Sequence, residues 1–216
     1  LSNFDYDLHV FRSPRFRGIV EEAVQFFNKT PIHSLPPPER FAGPGVYALY
    51  YLGSDDLYAG VGARNRISCE YPIYVGEAVA AGSRKGIVKN YSNRTLLGRL
   101  RDHTRSIAQA VNLSAEDFRC RFMVMVNLES DLILPVESEM VRRYKPLWNI
   151  VVDGFGNHDP GKGRYNQAVS EWDVLHPGRQ WVEKLTGAKP DLNKVRTKVQ
   201  GHLLKVQGHL LKVSLS

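Results

Sequence analysis

Gly45-Val46-Tyr47-Ala48-Leu49-Tyr50-Tyr51, followed later by Pro72-Ile73-Tyr74-Val75-Gly76, are the stretches whose reading decides the fold. The first is largely β-branched and aromatic and opens after Gly43-Pro44-Gly45, so it reads as a strand. The second is a shorter strand, ended by a glycine that lets backbone or ligand approach closely. Either tyrosine alone would pass for an ordinary core residue of a buried hairpin. The order of residues downstream argues for more.

Arg99 and His103 stand four apart in Gly98-Arg99-Leu100-Arg101-Asp102-His103, on one face of an amphipathic helix with Leu96, Leu97, Leu100 and Ile107. Thr95 or Asn93 could cap that helix. Phe118 to Leu128 turns from alternation to a continuous apolar run, as a central strand would. Leu132 to Tyr144 reads as a second helix closed by Pro146, and it carries Glu137 and Glu139. Pro146-Leu147-Trp148-Asn149 follows directly.

A Gly-x-Tyr strand, a Tyr-x-Gly strand, an Arg/His helix, a late Glu and a Pro-x-x-Asn, in that order, resemble the GIY-YIG nuclease superfamily. Each motif is weak alone, and the resemblance covers Gly45 to Asn149. It implies an α+β fold, with a small central antiparallel or mixed sheet flanked by helices. A rival for the second tyrosine exists: Tyr58, in Leu57-Tyr58-Ala59-Gly60, lies eleven residues after Tyr47, the shorter spacing usual in the family. Tyr74 is preferred for its stronger strand setting and its position nearer Arg99. Leu52 to Tyr71 then becomes an insertion, longer than a hairpin loop needs and a natural place for DNA contacts.

The resemblance also implies the chemistry. Tyr47 would orient or deprotonate the attacking water, and His103 would shuttle its proton. Tyr74 would position phosphate or water, and Arg99 would fork onto phosphate oxygens. Glu137 would hold one divalent ion, Mg²⁺ or Mn²⁺, and Asn149 would fix the local geometry. Glu139 competes for the metal role, but Glu137 stands in the register that the family's helix shows. The segments Asn157–Arg164 and Leu175–Trp181 resemble the small group of type II restriction endonucleases that cut CCGCGG. That likeness implies a homodimer on double-stranded DNA, with a structure-specific repair nuclease or an inactive DNA-binding module as the alternatives.

Charge supports nucleic acid only locally. The net charge is +7, but residues 194–216 hold five of the 29 basic side chains and no acid, which leaves 24 against 22 acidic ones elsewhere. Within residues 82–105, however, Arg84, Lys85, Lys89, Arg94, Arg99, Arg101 and Arg105 face the single Asp102. That one-sign segment reads as a phosphate-facing surface. Arg84, Lys85, Lys89, Arg94 and Arg101, with Arg64, Arg66, Lys162, Arg164 and Arg179, are the candidate DNA contacts. The CCGCGG likeness implies arginines such as Arg64, Arg66, Arg164 or Arg179 as readers of guanine.

The rest of the chain is organised around this core. Residues 1–42 read as an extension with a helix over 18–28 and a stiff Pro36-Pro37-Pro38 linker, and residues 43–152 as the nuclease core with its insertion at 52–71. Residues 153–190 read as a C-terminal embellishment broken at His176-Pro177-Gly178, and 191–216 as a basic tail. The tail repeats Val-Gln-Gly-His-Leu-Leu-Lys at 199 and 206, and its glycines argue against a stable helix. Cys69 and Cys120 have no metal-ligand spacing and cannot frame a disulfide scaffold. No apolar run reaches the roughly 18 residues of a membrane span. The N-terminus lacks signal-peptide character, so a cytoplasmic protein is expected.

Overall fold

A computed structural model describes residues 4–79 and 95–213, with side chains described to residue 205. Its centre is a four-stranded sheet in the order β1 (Ile32–Ser34), β4 (Phe118–Val124), β2 (Gly45–Tyr51), β3 (Tyr74–Ala78), every neighbouring pair antiparallel. Helices α1 (Phe16–Lys29), α2 (Ala59–Ile67), α3 (Thr95–Gln109), α4 (Ile133–Tyr144), α5 (Leu147–Ile150), α6 (Glu171–Leu175) and α7 (Leu192–Val213) surround it. The fold is α+β.

β2 is buried along its whole length. Because side chains alternate across a sheet, it feeds two cores. Tyr47, Leu49 and Tyr51 enter one, together with Leu96, Leu100, Trp148, Phe155 and Trp172. Val46, Ala48 and Tyr50 enter the other, where α1 contributes Val20, Val24 and Phe27 and α4 contributes Ile133, Val136 and Met140. Residues opposite one another share a face, so Tyr47 lies beside Gly76 and Leu49 beside Tyr74.

Two glycines fix how closely the strands approach. A Cβ on Gly45 would run into the Met123 backbone of β4. A Cβ on Gly76 would clash with the Tyr47 hydroxyl and come within 2.6 Å of its ring carbon Cζ. The glycine of the Tyr-x-Gly strand is therefore where the Tyr47 side chain lies.

The sequence expectations differ from the fold at four places. The 52–71 insertion is a packed connector rather than an open loop: α2 lies so close to the 52–53 backbone that a Cβ on Gly62 would strike the Gly53 carbonyl. Buried Asn65 stitches it down, donating to the Tyr51 and Tyr71 carbonyls at 3.0 and 2.9 Å and accepting from the Tyr71 amide. β1 was not expected, being only three residues on the sheet edge. The 118–128 run ends as strand at Val124, and the chain then turns through Asn127 at φ 55°.

The tail is helical despite its glycines. Val195 and Val199 of α7 are buried in the core of the Tyr47 face. Burying two valines contributes about 1.5–3 kcal/mol each, which exceeds the roughly 1 kcal/mol that a helical glycine costs. The second copy of the repeat lies beyond the described side chains. Among the described residues, no helix is long and apolar enough to cross a membrane.

Candidate active site

The Tyr47 hydroxyl lies 2.6 Å from His103 Nε2, and both side chains are almost fully buried, at 1% and 3% exposure. β2 supplies the tyrosine, and the buried stripe of α3 supplies the histidine. Phe155 stacks on the His103 ring at 4.6 Å, holding the imidazole in plane. Burial, with the positive charge of Arg99 second, pushes the His103 pKa down to about 3, so the ring is neutral and Nε2 can accept a hydrogen bond from the tyrosine hydroxyl. Burial chiefly, then the neighbouring Tyr74, raises the Tyr47 hydroxyl well above the ordinary phenol value.

Tyr74 sits beside both, its ring 6.2 Å from Tyr47 and 5.2 Å from His103. Burial chiefly, and then the charge of Glu137, raises its pKa. The rival Tyr58 lies elsewhere. It is fully buried, with its hydroxyl 2.7 Å from His176 Nε2 and accepting from the Trp148 indole at 3.3 Å. The structure thus brings Tyr74, not Tyr58, next to Tyr47 and His103.

Asn149 explains what Pro-x-x-Asn does physically. Its carboxamide accepts from the Val75 amide and donates to the Val75 carbonyl, both at 2.8 Å, standing in for a neighbouring strand on the edge of β3. The Trp148 amide adds a bond to the Ile73 carbonyl at 2.9 Å. Each such bond contributes about 0.5–1.5 kcal/mol, and together they pin the strand that carries Tyr74. The Pro-x-x-Asn turn is a strand clamp.

Glu137 and Glu139 differ in setting. Glu139 is engaged at the surface by Arg142 and Arg143, whose hydrogen bonds and charge lower its pKa. Glu137 is half-buried and has no ion pair among the described residues. Burial, and then the charge of Glu77, hold its carboxyl above the usual range. Arg99, half-buried on α3, donates from Nη1 to His158 Nε2 at 2.8 Å.

Comparison with known families adds a decisive match: the family described as the Eco29kI GIY-YIG domain covers residues 39–203 of this chain. The chain belongs to that family. No curated protein matches it. It is a restriction-type GIY-YIG nuclease, and its substrate is DNA.

Within this GIY-YIG domain the candidate DNA contacts other than Arg179 fall into three groups. Arg84, Lys85, Lys89 and Arg94 lie outside the described residues. Lys162 and Arg164 are exposed on a 3-10 turn and Arg101 is half-exposed on α3, all open to a ligand. Arg66 bonds the Leu52 and Gly53 carbonyls and Arg64 lies 5.2 Å over the Tyr71 ring, so both brace the α2 connector.

Arg179 must be reassigned. It is 2% exposed, pairs with buried Asp173 at 3.5 Å, and packs 4.1 Å over the Trp172 ring. It also donates to the Phe155 carbonyl at 2.6 Å and the Gly154 carbonyl at 3.1 Å. A guanidinium enclosed this way cannot reach a base edge. It holds the Gly154–Asn157 loop, which presses Phe155 on His103 and brings Gly156 against the Tyr74 hydroxyl.

Three residues of this region escaped the sequence reading. Phe155 was visible only as an aromatic between two glycines, and His158 only as one member of the Asn157–Arg164 segment, with no role of its own. Glu77 directly follows the Tyr-x-Gly motif within β3, on the face opposite the two tyrosines, paired with Val46.

Proposed function

We propose that this GIY-YIG nuclease cuts both strands of double-stranded DNA at a short palindrome, CCGCGG, acting as a homodimer with one active site per strand. The observation that carries the catalytic reading is the buried 2.6 Å bond between Tyr47 and neutral His103, flanked by Tyr74 and Arg99. Arg99 would grip the scissile phosphate with its planar fork of donors. The anionic phosphate would offset the positive charge that helps keep His103 neutral. Water attacking the phosphorus would then lose its proton toward Tyr47 as Tyr47 passes its own to His103 Nε2. Tyr74 would hold the water or a phosphate oxygen, and Asn149 would keep β3 in place.

Glu137 fits a hard divalent cation, Mg²⁺ or Mn²⁺. It is an oxygen donor in a half-buried setting short of positive charge, with no cationic partner among the described residues. Such an ion, when bound, supplies Lewis-acid stabilisation of phosphate and leaving oxygen. The exposed Lys162 and Arg164, with Arg101 and the basic run at 84–94, would meet the DNA backbone and bases.

The test is digestion of linear duplexes with and without a CCGCGG site in the presence of Mg²⁺, with branched and nicked duplexes alongside. Double-strand cuts confined to the palindrome support the reading. Cleavage that follows branches or damage instead would assign a repair role, and no cleavage of any substrate would leave a binding module.

A further inference from the structure

We infer that Glu77 is a second carboxylate for the divalent cation, acting beside Glu137 either directly or through a bound water. The inference rests on the reading that a cation sits at Glu137. Glu77 lies on the face of β3 that packs against α4, sharing that face with Val46 and Val75. Val136 and Met140 of α4 enter the same core, and Glu137 follows Val136 at its margin. Glu77 is near enough to Glu137 for its charge to act on that carboxyl, and it does so from the face of β3 opposite Tyr47 and Tyr74.

One oxygen of Glu77, Oε2, is enclosed by protein and accepts no hydrogen bond. Among the described residues no cationic side chain pairs with it. An enclosed carboxylate oxygen without a donor loses its hydration with nothing in return, and a second carboxylate nearby adds repulsion. Protein interiors resolve such pairs by supplying positive charge, and a small divalent ion is bound through one or two carboxylates plus phosphate. Asn149 does not fill that need, because its carboxamide is fully occupied with the Val75 backbone.

The experiment titrates Mn²⁺ alone into the wild-type chain, Glu77→Gln, Glu77→Ala and Glu137→Gln, reading the free ion by its paramagnetic resonance and the fold by thermal melting. Loss of Glu77 should weaken Mn²⁺ binding by about ten- to a hundredfold, the range for removing a group that supports a metal site. It should leave the metal-free melting temperature unchanged or higher, because one of two facing carboxylates is gone. Added Mn²⁺ should raise the melting temperature of the wild type more than that of either Glu77 variant. Wild-type Mn²⁺ affinity in folded Glu77→Gln or Glu77→Ala, with affinity lost in Glu137→Gln, would overturn this inference and leave the Glu137 reading standing. Undiminished affinity in Glu137→Gln as well would overturn both.

Discussion

Replacing Arg179 with methionine tests whether this residue is a structural clamp or a reader of DNA. The guanidinium and the Asp173 carboxylate are 1% and 2% exposed, 3.5 Å apart. Removing one partner of a buried ion pair strands the other, at a cost of about 3–5 kcal/mol. The Phe155 and Gly154 carbonyls also lose their donors. Two effects work the other way. Burial already raises the Asp173 pKa, so a stranded carboxyl can take up a proton, and methionine keeps some packing on Trp172. A net loss of about 3–4 kcal/mol follows, or roughly 10 °C in melting temperature for a chain of this size. Circular dichroism melts of wild type, Arg179→Met, Asp173→Asn and the double variant measure it, and the double variant should be less damaged than the two single losses added together. Cleavage should fall too, because the loop that presses Phe155 on His103 is released. A melting temperature within a degree or so of wild type, with DNA affinity reduced, would refute the clamp and return Arg179 to the DNA surface.

Gly76→Ala drives a methyl group against the Tyr47 hydroxyl, so it should destabilise by about 1–3 kcal/mol and depress cleavage far more than that loss explains, read by urea unfolding and single-turnover rates. Glu137→Gln should cut hydrolysis to near background while gel-shift affinity for the duplex is unchanged or tighter, since a negative group facing phosphate is gone, whereas Glu139→Gln should stay active. Near wild-type cutting by Glu137→Gln would remove the cation from the account. Acid should unfold the protein early. His103 and His176 are each held near 3 by burial, below the roughly 6.5 of an unfolded histidine, so that contribution to stability is intact above about pH 6.5 and is lost as pH falls toward 3. Melting temperatures that do not fall between pH 7 and pH 5 would contradict the buried neutral rings.

The parts of this molecule legible from sequence are those where one residue type answers one physical demand. The apolar run of β2 gave a strand buried on both faces, and the stripe Leu96, Leu97, Leu100, Ile107 gave the face of α3 that carries His103 inward. Tyr74 was readable because the glycine two residues on serves the Tyr47 side chain across the strand pair. What escaped depended on long-range contacts. α2 contains two glycines that lower helix propensity, and only the close 52–53 backbone and the three bonds of Asn65 make sense of it. α7 forms because Val195 and Val199 find a core contributed by distant segments. Arg179 looked like a DNA contact because the Leu175–Trp181 segment resembles that of enzymes cutting CCGCGG, and the Asp173 that encloses it, six residues earlier, has no marking in the sequence as a buried acid. Glu77 was passed over because its neighbour on α4 is distant in the chain.

The central claim is that Tyr47 and His103 form the proton path of the nuclease, and Tyr47→Phe addresses it most directly. The substitution removes one buried hydroxyl and its 2.6 Å bond to His103 while keeping the ring that packs against Tyr74. Single-turnover cleavage and gel-shift affinity are to be measured on the same CCGCGG duplex with Mg²⁺. Loss of a group that moves a proton in the transition state should slow cleavage by about a hundredfold or more, with affinity for the duplex unchanged. Cleavage by Tyr47→Phe at close to the wild-type rate would contradict the account.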